Sequence, residues 1–182
     1  MDWQMKEPIK KFSIRGERII FRHINLADAR GYFEAHQNKE AKENFMRVPK
    51  SLAEARKEIK GHIQRPKEKR REMFVIEVDG EFAGFIRIGD LKQKKNPYEG
   101  ILGYGIHPKF RRKGLALKSV KLITNYAFKK YKLKRIVGRC RVSNKGSVRV
   151  LEKAGYKLEG IHRKELYKNG KFYDNMYWAR VK

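Results

Sequence analysis

Two turn dipeptides constrain the fold of this chain more than any other feature of its sequence. Asp79-Gly80 and Asn169-Gly170 each lie between two runs that are rich in β-branched and aromatic residues. Both residues of such a pair tolerate the positive φ that tight primed β-turns require. The sequence therefore predicts two β-hairpins. Their strands are residues 73–78 with 81–88 and residues 156–167 with 172–181.

The remaining segments combine strands with helices. Residues 18–24, 98–107 and 136–142 have the two-residue period of strands. Helix starts are predicted where a capping residue precedes an apolar stripe. These starts are Asn25, Ser51 with Glu54 in a capping box, Gly114 with a helix to about Lys130, and Ser143 or Asn144 with a stop at Gly155. We expect an α+β fold, in which a mixed, mostly antiparallel twisted sheet of about seven strands is flanked by about four helices.

Two polar segments and one end of the chain are expected to lie outside these elements. Residues 65–71 are strongly basic and contain a proline, and residues 93–97 are also polar, so both are predicted to be loops. Residues 1–12 are expected to be a flexible segment. We expect one domain for the whole chain of 182 residues.

The net charge points to an acidic partner. Lysine and arginine number 46 against 20 acidic residues, which gives a formal net charge of +26. Such a surface attracts polyanions, including nucleic acid or a ribosome. Adaptation to a hot or salty cytoplasm is the other explanation, but hot-adapted proteins usually enrich lysine and glutamate together. The excess of one sign therefore favours association with RNA or a ribosome.

Several protein classes are excluded by composition. Cys140 is the single cysteine, so an internal disulfide cannot form, and in a strand we expect it to be an inert buried residue. No run of about 18 apolar residues is present, and no signal-peptide pattern is found. We expect a cytoplasmic protein that does not cross a membrane.

Residues 111–116, with the sequence Arg-Arg-Lys-Gly-Leu-Ala, lie between a glycine-containing strand and the predicted helix that follows Gly114. The first turn of a helix has free N–H groups and the positive end of the helix dipole, and glycine allows an anion to approach the backbone. The amides of residues 112–117 can therefore wrap a pyrophosphate, with Arg111 and Lys113 adding charge. A solvated basic turn is the alternative interpretation.

Taken together, several blocks of the sequence resemble the GNAT superfamily of acetyltransferases, and within it the Rim-type ribosomal-protein N-terminal acetyltransferases. The resemblance spans nearly the whole chain. It is carried by residues 18–22 with the helix after them, the hairpin at Asp79-Gly80, and residues 103–108, 111–116, 144–147 and 151–156. The resemblance implies that acetyl-CoA is the co-substrate, that the acetyl group passes directly to a primary amine without an acyl-enzyme, and that no metal takes part.

The resemblance also implies a set of cofactor-binding residues. Residues 103–106 match a strand that separates from its neighbour and binds the pantetheine arm and the thioester oxygen through backbone amides; a structural bulge is the alternative. Together with the phosphate-binding turn and the start of the last helix, the implied set is Gly105, Ile106, His107, Arg111, Arg112, Lys113, Gly114, Leu115, Ala116, Asn144 and Ser147.

Ser147 is the candidate for assisting the departing thiolate. Relatives commonly have a tyrosine acid four residues beyond this position, where this chain has Leu151. In the Rim-type branch a serine at the matched position is proposed to serve instead. Ordinary helix capping is the alternative role for Ser147.

Glu99 is the candidate for accepting the proton of the attacking amine. The glutamate that relatives often carry is replaced here by Ile101, and Glu99 lies two residues earlier on the same face of the strand. Tyr98 and His107 are weaker substitutes. A surface carboxylate at a strand end is the alternative interpretation of Glu99.

The acceptor is expected to be a protein N-terminus of the ribosomal-protein type. An α-amine titrates near pH 8 and a lysine near 10.4, so at neutral pH the α-amine holds roughly 200-fold more free base. Polyamines would be repelled by the net positive surface, since no acidic cluster appears in the sequence. Two alternatives stay open: an RNA- or ribosome-binding module with this fold and little turnover, and an N-acetyltransferase for an antibiotic, an amino acid or a polyamine.

Overall fold

The computed structural model describes residues 10–14, 16–64, 72–89 and 96–182. Within these residues eight strands form one sheet. The strands are β1 (Lys10–Ile14), β2 (Glu17–His23), β3 (Glu72–Val78), β4 (Glu81–Gly89), β5 (Glu99–Ile106), β6 (Arg135–Arg141), β7 (Lys157–Lys168) and β8 (Lys171–Val181). Their order is β1-β2-β3-β4-β5-β6-β8-β7. The predicted loop at 65–71 and most of the one at 93–97 lie outside the described residues.

Five α-helices accompany the sheet in the described part of the chain. They are α1 (Ala29–His36), α2 (Lys39–Asn44), α3 (Leu52–Ile63), α4 (Leu115–Lys130) and α5 (Lys145–Lys153). The predicted α+β class and the mixed, mostly antiparallel sheet are confirmed, because β5 and β6 are the parallel pair and the other neighbours are antiparallel. None of these helices is long and apolar enough to cross a membrane.

The expected numbers of strands and helices are each one too low. Strand β1 pairs antiparallel with β2, so residues 10–12, for which the sequence predicts flexibility, belong to the sheet. Helix α2 has six mostly polar residues and no apolar stripe that periodicity could detect. It begins where the side chain of Asn38 accepts a hydrogen bond from the Ala41 amide at 2.9 Å.

Both predicted hairpins are confirmed, and their turns have the expected backbone conformation. Asp79 and Gly80 have φ values of 47° and 87°, and Asn169 and Gly170 have 51° and 75°. Two consecutive residues with positive φ define the turn whose twist matches that of paired strands.

Two of the four predicted helix starts, at Asn25 and Ser51, differ in the details of their caps. Asn25 forms a complete capping box with Asp28. Ser51 accepts a hydrogen bond from the Glu54 amide at 3.2 Å, as predicted. The Glu54 carboxylate, however, accepts from the amide of Lys50 at 2.8 Å, so the second half of this box is shifted by one residue.

Apolar side chains cover both faces of the sheet. Ile86, Ile123 and Leu151 belong to the core between the sheet and helices α4 and α5. Tyr32, Ile59 and Phe85 belong to the core on the other face, under α1 and α3. Each fully buried side chain of this size contributes about 1.5–3 kcal/mol, so the two cores hold the sheet rigidly between helix layers.

Strands β5 and β6 separate halfway along their length. Their parallel pairing ends at Leu102 opposite Gly138. Beyond that point β5 continues along β4 as far as Ile106, and β6 continues along β8 as far as Arg141. The predicted splaying of residues 103–106 is thereby confirmed, and a gap opens in the middle of the sheet.

Candidate functional site

A cavity of about 1040 Å³ lies at the open end of the gap between β5 and β6. Its walls are residues 101–106 of β5, the first turns of α4 and α5, the end of β6, and residues of α2 and the loop after it. Ligand pockets in proteins commonly measure about 300–1,000 Å³, so the cavity is large enough for an extended cofactor and a second substrate.

The start of α4 presents backbone N–H groups that no side chain caps. Gly114 is the N-cap residue, with φ of 77°, and no side chain forms a capping hydrogen bond there. Arg112 also has positive φ, at 61°, so the turn curves around the helix end. Because the first N–H groups of a helix lack intrahelical partners, this turn can bind an anion such as a diphosphate.

Only one of the three basic side chains before Gly114 is available to a ligand in the cavity. Arg112 is exposed and lines the cavity, and it has no ion-pair partner among the described residues. Arg111 instead ties β5 to the start of α2, because it donates to the Ile106 carbonyl and the Asn38 side chain, both at 3.1 Å, and pairs with Glu40. Lys113 is predicted to lie near the phosphates, but its ammonium pairs with Glu17 and is not part of the lining.

His107 is not brought to the cavity either. Its backbone amide donates to the Ala83 carbonyl at 2.9 Å, and its Nδ1 accepts from the Lys109 amide at 3.3 Å. Both groups therefore stabilise the chain reversal after β5. The other predicted cofactor residues do line the cavity: Gly105, Ile106, Arg111, Arg112, Gly114, Leu115, Ala116, Asn144 and Ser147.

The glycines of β5 are required by packing as well as by the gap. A Cβ atom on Gly105 would approach Phe85 to 2.8 Å, and one on Gly103 would lie 2.7 Å from Arg87 Nε. Successive backbone groups of a strand point alternately to its two neighbours. Since β6 has diverged, half of the amides of residues 103–106 face the gap and are directed at any group that enters it.

Asn144 caps helix α5, whereas the Ser147 hydroxyl has a different partner. The Asn144 side chain is the cap of α5, because its Oδ1 accepts from the Ser147 amide at 3.0 Å. The Ser147 hydroxyl does not cap the helix and instead lies 2.7 Å from the Tyr104 hydroxyl. The place of the missing tyrosine is taken by Leu151, which is 1% exposed and belongs to the core.

Glu99 lies outside the cavity, contrary to the expectation for a proton acceptor. Its carboxylate accepts from Arg135 Nε at 2.8 Å, and the same guanidinium pairs with Glu159. Alternation does place Glu99 and Ile101 on one face, but only Ile101 reaches the lining. The pairing partner on β6 therefore holds the carboxylate at the closed end of the gap.

Glu40 and Glu165 are cavity carboxylates that the sequence analysis missed. Glu40 pairs with Arg111, and Glu165 has no lysine or arginine ion-pair partner among the described residues. Glu165 accepts a hydrogen bond from Asn175 at 2.8 Å and another from the Tyr177 hydroxyl.

Burial raises the pKa of Glu165, but these hydrogen bonds and the charges of His162 and Arg139 together outweigh that effect, and the pKa lies below its ordinary value. The strand is irregular between His162 and Leu166, and Lys164 has φ of 51°, so a simple two-residue period could not place Glu165.

Cys140 lines the cavity and is buried. Burial raises the pKa of its thiol, and the neighbouring Ser147 and Trp178 side chains do not reverse that shift. A protonated thiol is a poor nucleophile. Among the residues that the structure describes, no group of three or more His, Cys, Asp and Glu side chains could hold a metal ion.

Residues 18–157 match the acetyltransferase (GNAT) domain. The chain belongs to the GNAT family of acetyltransferases. As a member of that family it transfers acetyl groups from acetyl-CoA to an amine. It is 31% identical over 169 residues to the uncharacterized N-acetyltransferase YoaA of Bacillus subtilis, which covers 91% of this chain and 94% of YoaA. It is also 31% identical over 116 residues to the spermidine N(1)-acetyltransferase of Escherichia coli K12, covering 61% of this chain and 57% of that protein.

The fold of this acetyltransferase is shared with solved structures. One is RimL, the ribosomal L7/L12 alpha-N-protein acetyltransferase in complex with coenzyme A, with 22% identity, a TM-score of 0.80, and coverage of 94% of this chain and 98% of RimL. Ribosomal-protein acetyltransferases are therefore among its structural neighbours, as the resemblance in sequence implied.

Proposed function

We propose that this acetyltransferase, acting as a single domain, transfers the acetyl group of acetyl-CoA directly to the α-amine of a protein N-terminus of the ribosomal-protein type. One observation carries the proposal. A single cavity joins the gap between β5 and β6, the uncapped start of α4, the Ser147 and Tyr104 hydroxyl pair and the Glu165 carboxylate.

The gap between β5 and β6 and the uncapped start of α4 are suited to binding acetyl-CoA. The diphosphate would accept hydrogen bonds from the first amides of α4, with Arg112 beside it, and each charge-assisted hydrogen bond is worth about 1.5–3 kcal/mol. The pantetheine arm would lie along residues 103–106 in the gap. An amide there that is directed at the thioester oxygen can lower the barrier by about 3–4 kcal/mol, because negative charge develops on that oxygen during attack.

The Ser147 and Tyr104 hydroxyl pair and the Glu165 carboxylate are suited to the transfer of the acetyl group. The amine nitrogen forms a bond to the acetyl carbon, the carbon–sulfur bond breaks, and one proton moves in net from nitrogen to sulfur. A hydrogen bond from Ser147 would stabilise the departing thiolate. Nitrogen becomes strongly acidic once it is bonded to the acetyl carbon, so even the weakly basic carboxylate of Glu165 suffices to take its proton.

The α-amine is favoured as acceptor on three grounds. It holds more free base at neutral pH than a lysine does. The RimL structure, whose fold this chain shares, is named for an α-N-protein acetyltransferase. The net charge of +26 supports a cytoplasmic enzyme that associates with ribosomal RNA, because a basic surface attracts the phosphate backbone.

The test is incubation with acetyl-CoA and a library of peptides that have free N-termini, followed by mass spectrometry of the products and by measurement of released thiol. We expect acetylation at the N-terminus, and none when the N-terminus is blocked while an internal lysine is left free. Preferential acetylation of lysine or spermidine would contradict the proposed acceptor. RNA binding without thiol release would support a binding module instead.

A further inference from the structure

A buried arginine at the end of β6 has donors that nothing in the described structure satisfies. Arg141 is 3% exposed and lines the cavity. Its Nε and Nη2 atoms have no hydrogen-bond partner among the residues that the structure describes. Buried guanidinium groups are normally paired, because an unpaired buried donor loses its hydrogen bonds to water without replacement. This arrangement indicates that a bound ligand supplies the hydrogen-bond acceptor for these two donors.

The surroundings of Arg141 leave the edge of its guanidinium free. The ring of Tyr173 lies against it, with the ring centroid 3.8 Å from the guanidinium carbon. Stacking occupies the flat face of a guanidinium, whereas its N–H bonds lie in the plane and point outward. The Lys168 ammonium donates to the backbone carbonyls of Lys42 and Phe45, and burial together with the charge of Arg141 lowers its pKa. The unpaired donors of Arg141 favour an oxygen ligand with negative charge or a strong dipole.

Arg141 lies one strand away from the groups that hold Glu165. It is paired with Asn175 across β6 and β8, and Asn175 donates to the Glu165 carboxylate at 2.8 Å. Strands β6 and β7 flank β8, so their backbones are about 10 Å apart. Both Arg141 and Glu165 line the cavity, so one small acceptor group bound there can lie between them.

Arg141 also lies on the side of the sheet away from Ser147. Cys140, its neighbour in β6, packs in the core with α4 and α5. Side chains alternate along a strand, so Arg141 faces the opposite side, where Tyr173 lies. The start of α4 and the Ser147 hydroxyl, which suit acetyl-CoA, are thus separate from Arg141.

We propose that Arg141 binds the carbonyl or carboxylate oxygen next to the acceptor's amine, so that the enzyme selects α-aminoacyl groups and rejects polyamines. The proposal rests on the proposed function and names what the acceptor must carry. A polyamine has no oxygen to offer, and its second ammonium would be repelled by Arg141 and Lys168. A free amino acid offers a carboxylate, and a peptide N-terminus offers a carbonyl.

The test compares the wild-type enzyme with Arg141→Gln, and uses Arg149→Gln as a control of equal charge change, because Arg149 is exposed on α5 outside the cavity. The acceptors are serine, serinamide, a peptide with N-terminal serine, and spermidine. For the serine acceptors we expect Arg141→Gln to raise the KM by about tenfold to a hundredfold, the loss of one or two charge-assisted hydrogen bonds. The KM for acetyl-CoA should change less than twofold.

The comparison of acceptors also identifies the source of the oxygen. Free serine as the best substrate supports a carboxylate ligand, and equal or better use of serinamide and the peptide supports a carbonyl ligand. Unchanged acceptor KM in Arg141→Gln, or a raised KM for acetyl-CoA alone, would overturn the proposal. So would spermidine as the preferred acceptor of the wild-type enzyme.

Binding of the product separates this inference from the proposed function. N-acetylserine carries the same oxygen group, and calorimetry measures its binding without turnover. We expect binding to the wild type, loss in Arg141→Gln and partial rescue in Arg141→Lys. An enzyme without turnover that still binds N-acetylserine through Arg141 would disprove the proposed function only. Turnover with equal product binding in both proteins, together with a lowered Tm in Arg141→Gln, would show that Arg141 is structural.

Discussion

The hydroxyl oxygen of Tyr104 lies 2.7 Å from Oγ of Ser147. Tyr104 is on β5 and Ser147 is at the start of α5, so the hydrogen bond crosses the cavity wall where the two strands separate. Burial raises the pKa of the Tyr104 phenol despite its hydrogen bond with Ser147, so the phenol stays protonated. When the phenol donates to Oγ, the proton of Ser147 is directed elsewhere, toward the position of the departing sulfur. Tyr104 is thus a positioning residue for Ser147.

Removal of either hydroxyl should lower kcat, with the larger effect from Ser147→Ala. We expect a decrease of about tenfold to a hundredfold for Ser147→Ala and of about threefold to tenfold for Tyr104→Phe, with the KM for acetyl-CoA little changed. Because Tyr104 acts through Ser147, the double variant should be no slower than Ser147→Ala alone. Steady-state kinetics check this. Tyr167→Phe, at an exposed site on β7, is the control. Additive losses of kcat in the double variant would show that the two hydroxyls act independently.

Glu165→Gln should lower kcat by about a hundredfold if Glu165 takes the amine proton. The pKa of Glu165 is lowered, so its carboxylate is charged throughout pH 6–9 and the loss should be uniform over that range. The rise of kcat/KM toward pH 8 should persist, since it reports the free base of the α-amine. Glu152→Gln, at an exposed site on α5, is the control. A normal rate in Glu165→Gln would assign proton removal to another group.

Gly114→Ala should weaken acetyl-CoA binding several-fold. Gly114 has φ of 77° and open space where the added methyl group would lie, so the substitution acts through backbone strain of about 1–2 kcal/mol and not through a clash. Relaxation of that strain would turn the first amides of α4 away from the diphosphate. Calorimetry with CoA measures the effect. Gly170→Ala carries the same strain in the distant hairpin turn, with φ of 75°, and should destabilise the fold without changing CoA affinity.

Glu72→Gln should destabilise the fold at neutral pH but not in acid. The Glu72 carboxylate accepts from Lys130 and Tyr126, both at 2.9 Å. Burial raises its pKa, but these hydrogen bonds and the Lys130 charge outweigh burial, so the folded-state pKa is lowered. A carboxyl group with lowered pKa contributes stability above its unfolded pKa, near 4.5, and loses it as pH falls through the folded value.

Urea unfolding at pH 7 and pH 3 measures this dependence. We expect Glu72→Gln to reduce the free energy of unfolding by about 1–2 kcal/mol at pH 7 and by much less at pH 3. Glu43→Gln, at an exposed site on α2, should show no such difference. An equal loss at both values of pH would mean that packing, and not the charge of Glu72, stabilises this end of β3.

The backbone of this protein was largely predictable because its signals are local. Asn169-Gly170 determines a turn through the dihedral angles of two residues, and the apolar stripe after Gly114 determines a helix through its own period. Helix α2 and strand β1 were not predicted because neither has such a local signal. Each depends on contacts with segments that lie elsewhere in the chain. The capacity of the turn before α4 to bind an anion could also be predicted, since it depends only on the first N–H groups of the helix and on a glycine a few residues away.

The side-chain geometry of the site was decided by the tertiary structure alone. The sequence by itself determined the two hairpins, the open helix start and the glycine-containing strand. It could not show that Arg135 holds Glu99 at the closed end of the gap, or that an irregular stretch of β7 carries Glu165 into the cavity. Strand register and local irregularities set those positions, and both result from packing between segments that are far apart in the chain. The unpaired donors of Arg141 follow from the same register, because pairing with Asn175 buries its guanidinium beside Tyr173.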